Sequence, residues 1–114
     1  MHAQFKPKYD QQGLLTAVAI DAASKAVLMV AFMDAEALAA TRATGFAHFH
    51  SRSRGRLWKK GESSGNVLRI QRILVDCDQD ALVLKVRPAG PACHTGEFSC
   101  FYRELGSDGL SRID

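Results

Sequence analysis

An α+β domain with a mostly antiparallel sheet and one main helix is predicted by three observations. Apolar runs of strand length recur between polar, turn-forming breaks. One alanine-rich segment carries helix signals at both of its ends. Helix and strands do not alternate regularly, which argues against a βαβ array. With 114 residues the chain has room for a single domain, spanning 1–114, around one core.

Leu14–Ile20 and Ala26–Met33 are apolar runs on either side of the polar break Asp21-Ala22-Ala23-Ser24-Lys25, so they read as a buried hairpin, though alternation is poor. Asp34 is placed to cap a helix over Ala35–Thr44, with Glu36 in the first turn and Gly45 at the C-terminal cap position. Phe46–His50 reads as a short strand. Ser51–Gly65 is polar, basic and glycine-containing, a loop or a loosely paired hairpin around Leu57-Trp58. Asn66–Val75 is a long strand and Ala81–Val86 another, divided by Asp76-Cys77-Asp78-Gln79-Asp80. Pro88-Ala89-Gly90-Pro91 turns the chain, Phe98–Leu105 is the last strand, and Gly106–Asp114 is a polar tail.

Composition narrows the class. Hydrophobic residues make up 46% and charged residues 24%, a globular balance rather than a disordered one. No apolar run approaches the ~18 residues of a spanning helix, and the first residues lack a signal-peptide core, so a cytoplasmic protein without membrane contact is expected. Three cysteines, an odd count, fit a reducing compartment better than a closed disulfide framework. The net charge of +3 is unevenly spread: seven basic side chains against Glu62 alone fall within 51–72, while the acidic excess and all three cysteines lie beyond residue 72.

Cys77, Cys93 and Cys100 are spaced C-x15-C-x6-C, which lacks the C-x2–4-C pairs of structural zinc sites. Three thiolates and one open position are the ligand arithmetic of a catalytic zinc. Histidine could close the site instead, and His94 adjoins Cys93. The plainer alternative is three unrelated core thiols. Against it, Cys77 sits between two aspartates and Cys93 lies beside His94.

Asp76, Asp78 and Asp80 recur with period two, so an extended segment turns all three carboxylates to one side and Cys77 to the other. Such a group suits a hard cation, Mg²⁺ or Ca²⁺; a solvated acidic turn is the alternative. An EF-hand loop is excluded, because its sixth position would be Ala81 and its twelfth Arg87. In the basic stretch, Ser51, Arg52, Ser53, Arg54, Lys60 and Ser64 supply the donors that phosphate recognition needs, and Trp58 offers a face for a base. A nucleic-acid patch or a solvated hairpin with Trp58 in the core would use the same residues.

Three segments together narrow the choice: SRSRGRLWKKGESSGN at 51–66, DCDQDAL at 76–82 and CHTGEFSCFYR at 93–103. They resemble, in order and spacing, the signature segments of the phosphoribosyl-AMP cyclohydrolase family, and VLMVAFMDAEAL at 27–38 resembles its N-terminal portion. The resemblance implies hydrolytic opening of the adenine ring of 1-(5-phosphoribosyl)-AMP at the N1–C6 bond, the third step of histidine biosynthesis. It implies an intertwined homodimer with zinc held between subunits, Cys77 coming from one chain and Cys93 with Cys100 from the other. Asp76, Asp78 and Asp80 match the family's Mg²⁺ ligands.

Within that reaction His94 is the candidate proton shuttle, beside a zinc ligand and of a type that exchanges protons near neutral pH. His48 is the second candidate, with an ordinary strand histidine as its alternative. Arg52, Arg54 and Lys60, with Ser51, Ser53 and Ser64, are expected to hold the substrate's two phosphate ends. The family often has Tyr-Trp before the SRSR segment, where this chain has Phe49-His50, a tolerated variation. Nine residues follow Leu105, so the pyrophosphohydrolase domain of bifunctional members is not expected. A small nucleic-acid-binding module and a zinc-stabilised interaction domain are the rival classes.

Overall fold

The computed structural model describes residues 3–113; residues 1, 2 and 114 of the expected domain lie outside it. Strands β1 (Leu15–Asp21) and β2 (Val27–Met33) form the expected antiparallel hairpin. Helix α1 (Ala35–Thr44) follows at once, and both its caps are those predicted. The Asp34 side chain accepts from the Ala37 N–H at 2.8 Å, and Gly45, at φ 81°, donates its N–H to Thr41 O at 3.0 Å. A cap of the Asp34 kind contributes about 1 kcal/mol to a helix.

The chain then forms a small antiparallel hairpin, β3 (His48–Ser51) with β4 (Arg56–Lys59), which settles the choice between loop and hairpin for the basic stretch. Strands β5 (Leu68–Val75) and β6 (Ala81–Pro88) make a second long hairpin. The main sheet has the order β2-β1-β6-β5. Its two outer pairs are antiparallel, but the central β1–β6 pair is parallel, Thr16 opposite Ala81 through Asp21 opposite Val86. The sheet is therefore mixed at its centre, joining two hairpins distant in sequence. Both central strands bury alternate residues on one face: Leu15, Ala17 and Ala19 from β1, Leu82, Leu84 and Val86 from β6.

That face meets Leu28, Met33, Ala37, Leu38, Phe49 and Leu68 in one continuous core. Thr41, the one buried polar residue among those described, donates its hydroxyl to Ala37 O at 2.8 Å and accepts from the His48 N–H at 2.9 Å. The helix is thus fastened to the start of β3, which aims the basic hairpin.

Two expectations need correction. Phe98–Leu105 is not one strand: residues 98–102 are irregular and are laced to the edge of β2 by Ser99 Oγ donating to Val27 O and the Cys100 N–H donating to Leu28 O. Nor is 106–114 a plain tail, since β7 (Arg103–Gly106) and β8 (Gly109–Arg112) form a fourth hairpin, turned by Ser107-Asp108. An Asp-Gly turn signal was present there. The turn after β6 begins at Ala89, with Pro88 still in the strand. Among the described residues no helix is long and apolar enough to cross a membrane.

Candidate metal and nucleotide site

Cys93 and Cys100 meet in a cavity of about 380 Å³ that Lys60, His94, Trp58 and Ser64 also line. Their approach follows from the lacing just described: the Cys100 N–H is tied to β2, and Cys93 N–H is tied to Glu97 O at 3.1 Å within the intervening loop. Lys60 is delivered by the turn after β4. There Gly61 has φ 84°, and a Cβ on it would lie 2.5 Å from the Asn66 backbone, so only glycine makes that turn.

The two thiols differ. Thr95 donates its hydroxyl to Cys93 Sγ at 3.0 Å, and this bond holds the Cys93 thiol below its ordinary pKa. Loss of water around Cys100, with Cys93 as neighbour, pushes its thiol up to about 11. Burial lowers the Lys60 ammonium, while the two sulfurs pull it the other way. The two thiols are thus unequal, Cys93 being the easier to ionise, with one cation beside them.

Cys77 is elsewhere. It is exposed in the β5–β6 turn, beside the N-terminal segment Ala3–Phe5. That turn adjoins Ala81, which is level with Thr16 and hence with Phe32, whereas Cys100 is tied to Leu28 four residues further along β2. Strand rise and two strand spacings put the separation on the order of 15 Å, against Zn–S bonds of about 2.3 Å. The three cysteines of one chain do not share one ion.

The aspartates gather on a turn, the alternative given for an extended segment. The segment is a tight turn and not extended: Gln79 has φ 62°, and Asp76 Oδ1 accepts from the N–H groups of Asp80 and Ala81 at 3.0 and 3.1 Å. Among the described residues Asp76, Asp78 and Asp80 are the one group of three His, Cys, Asp or Glu whose ligand atoms lie within 4.8 Å of one another. Asp76 and Asp78 beside it push the Asp80 carboxyl up to about 6, while hydrogen bonds from Asp80 and the backbone hold Asp76 low.

The remaining candidates divide around Trp58. Ser51, Arg52, Arg54 and Trp58 line a cleft of about 460 Å³ that also holds Arg56, Ser63 and His50. Ser53 lines a separate cavity with Arg52, and Lys60 and Ser64 face the cysteines instead. Trp58 walls both the arginine cleft and the cysteine cavity, and its ring packs on buried Phe49 at 5.4 Å between centroids. His48 is absent from these cavity walls, its Nδ1 lying 2.9 Å from Phe46 O.

A family model described as phosphoribosyl-AMP cyclohydrolase matches residues 29–102, which contain both thiols, the acidic turn and the arginine cleft's main residues. Proteins named phosphoribosyl-AMP cyclohydrolase from Sphingopyxis alaskensis and Rhizorhabdus wittichii are 61% and 65% identical to this chain, over 93% and 94% of it and 84% and 86% of their own lengths. One from Erythrobacter litoralis is 62% identical over 96% of this chain and 87% of its own length. The chain belongs to the phosphoribosyl-AMP cyclohydrolase family. It is an enzyme of that family, a hydrolase, as the signature segments implied.

Sequence reasoning missed several residues of this cyclohydrolase's cavities. Thr95, Arg56 and Ser63 lie inside or beside the quoted segments and went unremarked because their neighbours carried the pattern. The split of the basic stretch by Trp58 had a signal in the strand alternation of Arg56–Lys59, which sends Leu57 and Trp58 to opposite faces.

Proposed function

We propose that the protein catalyses the third step of histidine biosynthesis, hydrolysing the N1–C6 bond of the adenine ring of 1-(5-phosphoribosyl)-AMP, as a cytoplasmic homodimer. The observation that carries this is the adjacency, across Trp58, of a two-cysteine cavity and an arginine cleft. A nucleotide has the matching halves: a base for the one and phosphates for the other. A small nucleotide and a second copy of the chain are its partners, rather than a nucleic-acid strand.

The donor set fits zinc in part. Cys93 and Cys100 supply two soft ligands, one of them already favoured as thiolate, and Cys77 of a second copy would complete three. Asp76, Asp78 and Asp80 are oxygen donors crowded enough to favour a hard cation, and they would hold Mg²⁺. When bound, zinc supplies the Lewis acidity that lets water ionise near neutral pH.

The chain's own residues do the rest. Trp58 stacks on the purine, and Ser51, Arg52, Ser53 and Arg54 hold the phosphate ends. Lys60 and Ser64, on the cysteine side of Trp58, meet the part of the substrate next to the base. Water adds at C6, the C6–N1 bond breaks, and the exocyclic amine stays as the carboxamide nitrogen. The balance requires one proton to travel from that water to N1, and His94 in the same cavity carries it.

Support for the dimer comes from the separated half-sites and from the tail hairpin. Leu105 and Leu110, paired across β7–β8, are 79% and 59% exposed, and Phe101, two residues before β7, is 53% exposed. A two-stranded hairpin with an uncovered apolar surface is marginal alone.

A spectrophotometric assay with phosphoribosyl-AMP tests the reading. Metal-loaded wild type turns the substrate over and Cys93→Ala does not; an inert wild type, or an undiminished variant, overturns it.

A further inference from the structure

His50 is the residue that the sequence treats as a tolerated variation, yet it stands where two cavities meet. It lines the arginine cleft of about 460 Å³ and also a neighbouring cavity of about 670 Å³ walled by Gln12, Leu14, Arg52 and Ser53. Arg52 is the other residue common to both, and its guanidinium is fixed 4.0 Å above the Phe32 ring.

The imidazole has a distinct inner and outer edge. Its Nδ1 is buried and lies 3.2 Å from Asp34 Oδ2, at ion-pair distance but off the line of a hydrogen bond. Among the described residues Nδ1 is the one buried side-chain nitrogen or oxygen without a hydrogen-bond partner. Asp34 is itself immobilised, because its other oxygen caps α1 through the Ala37 N–H. A carboxylate in that position keeps a proton on Nδ1 and leaves Nε2 as the atom available to the cavities. Ser51, Ser53, Arg52 and Arg54 surround the same opening, and the acid in the cleft, Glu62, is engaged by the Lys59 N–H at 2.9 Å. With a carboxylate behind the ring and an anion in front, the two ring nitrogens can both act as donors.

We propose that His50, steadied by Asp34, donates from Nε2 to a phosphomonoester of the substrate at the seam of these two cavities, beside Arg52. Asp34 is a positioning residue: it holds the ring and touches no substrate. The inference rests on the nucleotide reading above for what carries the phosphate, and on the two cavities for where it binds. The Phe49-His50 pair thereby gains a role, His50 placing a ring nitrogen at the seam of the two cavities.

AMP and ribose 5-phosphate carry the substrate's two phosphate ends separately, and calorimetric titration of each into the metal-loaded protein identifies the end bound. His50→Asn keeps an amide near the Nδ1 position and loses Nε2; His50→Gln places an amide near Nε2. Loss of one charge-assisted hydrogen bond in a half-exposed cleft weakens one of the two ligands about tenfold in His50→Asn, with His50→Gln recovering most of it. Asp34→Asn, which retains an oxygen for the helix cap, gives a smaller loss. In turnover the change falls on KM while kcat is nearly kept. Unaltered affinity for both ligands in His50→Asn, or a loss confined to kcat, overturns the proposal.

A measurement on wild type guards against misfolded variants. Bound AMP or ribose 5-phosphate slows carbethoxylation of His50 by diethyl pyrocarbonate, read by peptide mass spectrometry; no protection by either overturns the proposal. Should wild type bind these ligands through His50 yet fail to open the ring of phosphoribosyl-AMP, the reaction reading falls and the phosphate contact stands. A turnover that proceeds with His50→Asn unchanged gives the reverse.

Discussion

At the cysteine cavity, Lys60 and the Thr95 hydroxyl stand beside the two sulfurs; at the acidic turn, the groups that shift the carboxylates are other aspartates and backbone amides. Both regions split their protons unequally, with Cys93 lowered against Cys100 at about 11, and Asp76 lowered against Asp80 at about 6. The consequence at neutral pH differs. The thiol pair has its own cation, whereas Asp80 is mostly ionised and crowded by Asp76 and Asp78, with no side-chain cation among the causes of its shift. The cysteine cavity holds two of the three sulfurs proposed for zinc; the acidic turn holds all three oxygen donors proposed for Mg²⁺, with no side-chain counter-charge among the groups that shift them.

The proposed third sulfur gives the largest effect. Cys77→Ala and Cys100→Ala are each expected to be inactive as homodimers. A mixed dimer pairs intact Cys93 and Cys100 on one chain with intact Cys77 on the other. Random exchange of equal amounts then restores roughly a quarter of the wild-type sites, because half the dimers are mixed and each has one good site. Activity of the mixture against the separate variants checks this, with subunit exchange followed by native mass spectrometry. Exchange without recovery would show that the half-sites are not shared.

How much of this was legible in the sequence follows the range of the interactions. Helix α1 was readable because Asp34 and Gly45 act within one turn of it, and the β1–β2 and β5–β6 hairpins because their turns are local. The parallel β1–β6 pairing was not, since it joins strands about sixty residues apart and leaves no mark on either. The acidic run left an extended segment and a turn both open; Gln79 at positive φ and two backbone amides on Asp76 Oδ1 decide for the turn. The candidate site was legible as residue types and not as a partition: seven proposed substrate contacts fall into three cavities because β4 places Trp58 between them.

The missing counter-charge gives the next effect. Asp80 has a folded-state pKa raised to about 6, so its carboxyl favours the fold while protonated; that contribution is present below the ordinary carboxylate value near 3.8 and is lost as pH rises through about 6. Asp76, lowered, works in the opposite sense at lower pH. Metal-free protein therefore loses stability between these two pH values, and Asp80→Asn removes that component. Thermal melts of both proteins with and without Mg²⁺ check the sign: Mg²⁺ raises wild type near neutral pH more than it raises Asp80→Asn. Equal slopes in the two proteins would mean that the aspartates do not interact as placed.

The smallest effect concerns the tail hairpin beneath the cysteine loop, and it turns the comparison around. Arg112 donates to both oxygens of Glu97 at 2.6 and 2.7 Å, while the Glu97 carbonyl receives the Cys93 N–H. Here a charge pair already satisfied braces the loop from outside. Being solvent-exposed, it is worth little to global stability, so Glu97→Gln is expected to leave the melting temperature nearly unchanged. Locally the brace is felt: amide exchange at Cys93 and Gly96, and reaction of the Cys93 thiol with a disulfide reagent, should each quicken a few-fold. Arg112 holds the Glu97 carboxyl below its ordinary value, so the brace is present above about 4.5 and is lost as pH falls further. High salt screens this pair and loosens the cysteine loop, but the same salt relieves the like charges of the acidic turn. Hydrogen exchange at low and high salt should thus move the two regions in opposite directions, and a common direction would mean that their charge balance has been misassigned.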